Sequence, residues 1–159
     1  DMRVITGTAR GRVLRTLEGE DVRPTTDRVK EAVFSIIQFE IEGRRVLDLF
    51  AGSGQLGIEA LSRGAASATF VDMSKDSLST VKYNLEHTKL GDNAKVVQTD
   101  ALSFLKLTKD KFDIVFRSAI CELTRSRFDE AALRCCCRRR LRNMRDSCRF
   151  GAARELRRA

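Results

Sequence analysis

A regular alternation of short apolar runs with longer amphipathic stretches, between residues 45 and 116, constrains the fold most strongly. The apolar runs "RRVLDLF", "SATFVD", "AKVVQTD" and "FDIVF" predict strands, and "IEALSRGA", "SKDSLSTVKYNLEHT" and "ALSFLKL" between them predict helices. Because the links are short, each helix returns the chain to a neighbouring parallel strand. The pattern predicts an α/β fold with a doubly wound parallel sheet.

Two further elements are predicted before this alternation. The stretch "MRVITGTARGRVLRT" contains two β-branched runs joined by a glycine-containing link, which predicts a basic β-hairpin. The stretch "RPTTDRVKEAVFSIIQ" predicts an amphipathic helix, with Thr25, Thr26 and Asp27 at its start. Its apolar face is predicted to consist of Val29, Ala32, Val33, Ile36 and Ile37.

The residues that close each strand are the candidate ligand contacts, since open parallel sheets bind ligands at the carboxyl ends of their strands. "GSGQLG", with Gly52, Gly54 and Gly57, follows the first strand and matches G-x-G-x-x-G, while Asp72 ends the second strand. This spacing fits either NAD or S-adenosylmethionine. Asp48, in the first strand, favours S-adenosylmethionine because a carboxylate disfavours a pyrophosphate and suits an ammonium group. The structural alternative is that Asp48 and Asp100 only cap strand–helix links.

Charge and cysteine are distributed very unevenly along the chain. Residues 117–159 contain 13 arginines, no lysine, 5 acidic residues and all five cysteines, which accounts for the whole net charge of +8. Residues 1–116 are balanced, with 17 basic and 17 acidic residues. We therefore predict one domain over residues 1–116, followed by an atypical Arg- and Cys-rich tail over residues 117–159.

Five stretches closely resemble the RsmD family, bacterial enzymes that methylate the exocyclic N2 of a guanine in small-subunit ribosomal RNA. They are "MRVITGTARGRVLRT", "RPTTDRVKEAVFSII", "RVLDLFAGSGQLGIEALSRGA", "FVDMSKDSL" and "QTDAL". The resemblance runs in order from Met2 to Phe116. It implies a Rossmann-like class I methyltransferase fold that uses S-adenosyl-L-methionine, with ribosomal RNA or a small-subunit assembly intermediate as partner.

The resemblance also implies site residues. It implies cofactor contacts at Asp48, Phe50, Ala51, Gly52, Ser53, Gly54, Asp72, Met73, Asp100 and Ala101, and RNA contacts at Arg3, Arg10, Arg12 and Arg15. No metal is implied. The N-terminus has no apolar signal segment and no apolar run is long enough to span a membrane, so a cytoplasmic protein without membrane contact is expected.

The family's chemistry needs an Asp-Pro-Pro-Tyr motif directly after the fourth strand. Here Arg117-Ser118-Ala119-Ile120 stands at that place, so the catalytic residues are unknown and the fold is expected to be truncated after the fourth strand. A change of reading frame near residue 117 explains this, because shifted codons for residues 117–121 can spell Asp-Pro-Pro-Tyr. Shifted codons for residues 142–146 can spell Val-Ile-Cys-Glu, which resembles a later strand of the family.

Three other interpretations remain open from the sequence. The first is a zinc site at Cys135-Cys136-Cys137, which is disfavoured because no paired C-x-x-C and no nearby histidine accompany these cysteines. The chain could instead be a non-catalytic RNA- or cofactor-binding module that uses the basic hairpin and tail. An NAD-dependent oxidoreductase is disfavoured by Asp48 and by the elements that precede the first strand. His87 is expected to be a surface residue, and the sequence shows no partner for it.

Overall fold

The computed structural model describes residues 2–17 and 24–117, with only the helical backbone described for residues 24–28. The reading-frame hypothesis, the Arg- and Cys-rich tail and the cysteine cluster concern residues beyond 117. These interpretations lie outside the described residues.

The described chain contains four helices and four strands of regular structure. They are α1 Pro24–Ile37, β1 Arg45–Asp48, α2 Gln55–Ser62, β2 Ser67–Asp72, α3 Lys75–Thr88, β3 Ala94–Gln98, α4 Ala101–Leu107 and β4 Ile114–Phe116, with a 3-10 turn at Gly91–Asn93. All strand pairs are parallel, in the order β3-β2-β1-β4. This order confirms the predicted doubly wound α/β sheet.

Alternate residues of the strands face two separate apolar layers, because successive side chains of a strand point to opposite faces of the sheet. Val46 and Phe70 pack with α1, α2, α3 and the N-terminal segment. Leu47 and Val71 pack on the other side with α4. The sheet is therefore covered on both faces, which is why its strands are short continuous apolar runs.

The N-terminal segment forms a short antiparallel pair held by a bridge between Arg3 and Val13. The Val4 N–H donates to the Arg12 carbonyl at 3.0 Å, and the Leu14 N–H donates to the Met2 carbonyl at 2.8 Å. Its inner side chains, Met2, Val4, Ala9 and Leu14, are buried in the larger apolar layer. The predicted hairpin is thus an integral part of the domain surface.

Gly7 allows the turn of this hairpin to lie directly on the end of α2. Its φ is +91°, and a Cβ at this position would lie 1.8 Å from the Ser62 carbonyl oxygen. The same turn is bonded to α2, since the Thr8 N–H donates to the Ser62 carbonyl at 2.8 Å and the Ala9 N–H donates to Ser62 Oγ at 3.0 Å. Only glycine fits this contact.

The predicted apolar face of α1 is only partly right. Val33 and Ile37 pack against the core, but Val29, Ala32 and Ile36 are exposed. Lys30 and Phe34 are buried in their place. The prediction failed because the spacing of apolar residues identifies a wide apolar face of the helix but not which side of it is buried. That side is set by Lys30, which is buried with its polar partners, the Arg3 carbonyl and Glu59.

No helix in the described ranges is long and apolar enough to cross a membrane.

Candidate functional site

The glycine-rich turn lies at the carboxyl edge of the sheet, between the neighbouring strands. The Leu49 N–H donates to the Phe116 carbonyl at 3.2 Å, and the Ala51 N–H donates to the Val71 carbonyl at 3.1 Å. The turn therefore bonds to β4 on one side and to β2 on the other. This is the point where the strand order reverses, which is where open α/β sheets bind ligands.

Close packing of α2 on the sheet depends on Gly57. A Cβ at this position would lie 2.3 Å from the Phe70 ring. The backbone of α2 thus comes near enough for the Gly57 N–H to donate to Asp48 Oδ2, at 3.3 Å. The third glycine of the motif serves helix–strand packing rather than ligand contact.

Asp72 joins the end of β2 to the glycine-rich turn. Its Oδ2 accepts from the Gly52 N–H and its Oδ1 accepts from the Ser74 N–H, both at 2.9 Å. A carboxylate has about four lone-pair sites, so both oxygens can accept further bonds from a ligand's hydroxyl groups. Asp72 is partly exposed and the next residue, Met73, is 71% exposed, so ligand access is open.

Asp48 is a buried carboxylate at the end of β1, only 2% exposed. Burial raises its pKa from 3.8 to about 7, against the opposing effect of N–H donors from Gly57 and Phe50, and the charge of Asp72 raises it slightly more. Within the described residues it has no ion-pair partner. A strongly perturbed carboxyl group beside a ligand crevice is a candidate for binding a cation.

Asp100 is the N-cap of α4. Its Oδ1 accepts from the Ser103 N–H at 2.9 Å. Hydrogen bonds from the Ser103 side chain and backbone lower its pKa. The structural alternative therefore holds for Asp100 as a cap, and Ala101 beside it is buried at the start of the helix.

Ser53 faces away from the crevice and toward the hairpin. Its hydroxyl lies 3.6 Å from Met2 Sδ, and its side chain is buried. Its carbonyl accepts from Asn84 Nδ2 at 2.9 Å. The Ser53 side chain is therefore engaged with the hairpin.

Asn84 is a buried residue of α3 that the sequence analysis missed. Besides Ser53, its Nδ2 donates to the Arg15 carbonyl at 3.0 Å, and its Oδ1 accepts from the Arg15 N–H at 2.7 Å. The amide thus bonds to the glycine-rich turn and to the hairpin at the same time. Its position on the buried face of α3, beside Leu85 and Val81, is the only sequence signal that could have drawn attention to it.

Glu59 is a second missed residue, fully buried in α2. Its Oε2 accepts from the Ile5 N–H at 2.8 Å and its Oε1 from the Thr6 N–H at 3.0 Å. Arg63 Nε lies 2.9 Å from Oε1, and Lys30 Nζ lies 3.9 Å from Oε2. An acidic residue flanked by apolar residues in "GIEAL" was the available signal, and it marks a structural ion cluster that fixes the hairpin.

The four hairpin arginines occupy different surroundings. Arg12 Nη1 donates to the His87 carbonyl at 2.6 Å, and the Arg15 guanidinium lies 5.5 Å from the centre of the Tyr83 ring. These two arginines therefore meet at α3, while Arg3 and Arg10 are exposed elsewhere on the hairpin. His87 is exposed as expected, and the structure supplies a partner that the sequence did not show, because its ring stacks on Tyr83 with centroids 6.1 Å apart.

Two other features of the described residues carry no comparable chemistry. A concavity at the amino ends of the strands is lined by ordinary surface groups that include Arg45, Asp92 and Asp110. In the described part of the chain, no group of three or more His, Cys, Asp or Glu side chains is placed to hold a metal ion.

The sheet order and the crevice at the glycine-rich turn define a Rossmann-like fold, and the solved structures that it resembles identify it as a class I methyltransferase fold. A family model described as Conserved hypothetical protein 95 matches residues 2–118. The chain belongs to this family, the RsmD family of ribosomal RNA methyltransferases.

Individual relatives agree. A candidate rRNA methyltransferase from Bacillus subtilis, YlbH, is 51% identical over 63% of this chain and 54% of its own length. Ribosomal RNA small subunit methyltransferase D from Haemophilus influenzae is 43% identical over 73% of this chain and 62% of its own. A solved structure of a candidate methyltransferase from Escherichia coli, yhhF, is 41% identical, with a TM-score of 0.65, over 72% of this chain and 61% of that one. The chain thus spans less than two thirds of these relatives.

Proposed function

We propose that residues 2–117 form the cofactor- and RNA-binding part of a methyltransferase that acts on small-subunit ribosomal RNA. The proposed cofactor is S-adenosyl-L-methionine, and the proposed acceptor is the exocyclic N2 of a guanine, in free RNA or in a small-subunit assembly intermediate. The observation that carries the proposal is the pair of carboxylates, Asp48 and Asp72, at adjacent strand ends on either side of the glycine-rich turn.

The donor and acceptor groups of this crevice fit the proposed cofactor. Asp72, fixed by two N–H groups, can accept hydrogen bonds from the two ribose hydroxyls. Asp48 supplies a buried carboxylate with no ion pair among the described residues, and an ammonium group would neutralise its charge. The remaining proposed contacts are Phe50, Ala51, Gly52, Gly54 and Met73 around the turn and Asp100 with Ala101 at the adenine side, with Ser53 contributing through its backbone.

The cofactor supplies a methyl group on a positively charged sulfur, so the transfer needs an aimed nitrogen lone pair more than a strong base. The protein must therefore hold the acceptor base close to that methyl group. In this chain the segment that would do so begins at Arg117, which can only donate hydrogen bonds. We propose that the chain binds the cofactor and has little or no turnover.

Cofactor choice is tested by calorimetric titration with S-adenosylmethionine and, separately, with NAD. We expect binding of S-adenosylmethionine alone, weakened roughly tenfold or more by Asp72→Ala, since charge-assisted hydrogen bonds are lost. Asp113→Ala, which removes an exposed carboxylate at the other end of the sheet, is the matched control and should bind normally. Binding of NAD in preference would overturn the proposal.

The pH dependence of this titration tests Asp48. Affinity should rise as the pH increases through about 7, because the ionised form pairs with the ammonium group. Asp48→Asn should bind more weakly and without this rise. Affinity of the wild type that stays constant from acid to alkaline pH would remove Asp48 from the site.

Turnover of the protein with its reading frame restored separates the enzyme from the alternative, a non-catalytic RNA- or cofactor-binding module that uses the basic hairpin and tail. Methyl transfer to small-subunit RNA should be absent or very weak for this chain. It should appear once the shifted frame is restored from residue 117 onward, if the coding DNA from Phe112 to Arg149 spells both Asp-Pro-Pro-Tyr and Val-Ile-Cys-Glu in that frame. A shifted frame that spells neither motif would favour the binding module.

A further inference from the structure

The hairpin and α3 together form one basic, aromatic surface, made of Arg12, Arg15, Tyr83 and His87, which we call the Tyr83 surface. Arg15 lies over the Tyr83 ring, His87 stacks on that ring, and Arg12 bonds to the His87 carbonyl. We propose that the Tyr83 surface binds a single-stranded segment of RNA, with a base stacked on the aromatic group and phosphates on the arginines. This deepens the proposed function and rests on it.

The charge of the surface fits a polyanion. Residues 2–17 contain four arginines and no acidic residue. The adjoining exposed part of α3 and its C-cap add Lys82 and Lys89 against Glu86 alone. A local group of uncompensated cations, on a domain whose total charge is balanced, attracts a phosphate backbone.

The aromatic group selects single strands over duplexes. Tyr83 remains 49% exposed although Arg15 and His87 contact it. Unpaired bases stack on aromatic rings and on guanidinium planes, whereas the bases of a duplex are already stacked on each other. The contacts with Arg15 and His87 also hold the ring in place, so little conformational entropy is lost on binding.

Asn84 fixes the Tyr83 surface relative to the cofactor crevice. It is the next residue after Tyr83 and is fully buried. Its side chain bonds to both backbone groups of Arg15 and to the Ser53 carbonyl of the glycine-rich turn. An RNA strand on this surface would therefore be held at a constant distance from the crevice, which suits a site that must present one base to a cofactor.

The test is the affinity of the full chain for an unstructured RNA oligonucleotide, measured by fluorescence anisotropy and compared with a duplex of the same length. The comparison with duplex corrects for the arginine-rich residues beyond 117, because phosphate contacts alone do not favour single strands. We expect Tyr83→Ala to reduce the preference for single strands roughly tenfold. Tyr83→Phe, which keeps the ring, should retain most of it.

Phe39→Ala is the matched control, since Phe39 is 91% exposed and lies after α1, away from the hairpin contacts. It should leave the preference unchanged. Arg12→Ala should weaken binding to single strands and duplexes alike and reduce the salt dependence by about one phosphate contact, whereas Tyr83→Ala should leave the salt dependence unaltered.

The outcomes separate this inference from the proposed function. If Tyr83→Ala and wild type show the same preference for single strands, the Tyr83 surface is not the binding site, and the cofactor titration still stands. If wild type shows no preference for single strands, the inference also fails. If the wild type does not bind S-adenosylmethionine in the calorimetric titration, the proposed function is overturned instead.

Discussion

Two buried carboxylates, Glu59 and Asp48, differ in what surrounds them. Glu59 is 0% exposed and accepts from two backbone N–H groups, with Arg63 and Lys30 beside it. Asp48 is 2% exposed, has a 3.3 Å bond from Gly57, and has a pKa raised to about 7. A buried charge that the fold neutralises belongs to the structure, whereas a buried carboxyl group that has no counter-charge among the described residues is a candidate for a ligand site.

The largest expected effect is loss of the structural carboxylate. Glu59→Ala should lower the free energy of unfolding by about 3–5 kcal/mol, because the buried Lys30 loses its ion pair with Glu59 and two hairpin N–H groups lose their acceptor. Urea denaturation followed by circular dichroism measures this. A loss below about 1 kcal/mol would mean that Glu59 resembles an exposed acid more than a structural one.

Asp48→Asn should instead raise the free energy of unfolding at neutral and alkaline pH. The unfolded carboxyl titrates near 3.8 and the folded one near 7, so between these values the folded state binds the extra proton. The wild type's free energy of unfolding should therefore fall as pH rises through this window, by about 4 kcal/mol in total.

Asn cannot ionise, so Asp48→Asn should match wild type near pH 4 and be the more stable protein above pH 7. Denaturation at a series of pH values, without cofactor, measures the difference. Parallel pH profiles for the two proteins would show that Asp48 is not the titrating group.

The docking of the hairpin can be tested with two glycines of similar backbone conformation. Gly7 and Gly11 have φ values of +91° and +81°, but only at Gly7 would a Cβ collide with α2. Gly7→Ala should destabilise the protein by about 1–3 kcal/mol more than Gly11→Ala, because the second carries only backbone strain. Equal effects in thermal unfolding would show that the hairpin does not depend on this contact.

The smallest effect is expected for an exposed ion pair. Arg45 Nε and Asp113 Oδ2 are 3.6 Å apart, with the Arg45 side chain 51% exposed. Arg45→Ala should change the free energy of unfolding by at most about 1 kcal/mol, and less at high salt. A loss as large as that of Glu59→Ala would show that burial is not what separates the two kinds of charge.

Predictions from the sequence succeeded where local pattern is sufficient. The strand "SATFVD" and the helix "ALSFLKL" have the predicted bounds, since apolar period and cap residues act over a few neighbouring positions. The glycine-rich turn lies between β1 and α2 as predicted, but α2 begins at Gln55, three residues before the predicted helix "IEALSRGA". The assignment of ligand contacts to Asp48 and Asp72 remains a prediction that the titrations test.

The sequence by itself determined the order of the elements, the parallel sheet and the position of the crevice, because these follow from periodicity, glycine spacing and short links. Only the tertiary structure decided which edge of α1 is buried, that Ser53 faces the hairpin, and that Tyr83, His87 and two hairpin arginines meet. Those outcomes depend on contacts between residues far apart in the chain, such as Lys30 with Arg3, Glu59 with Ile5 and Asn84 with Arg15, which no local pattern encodes.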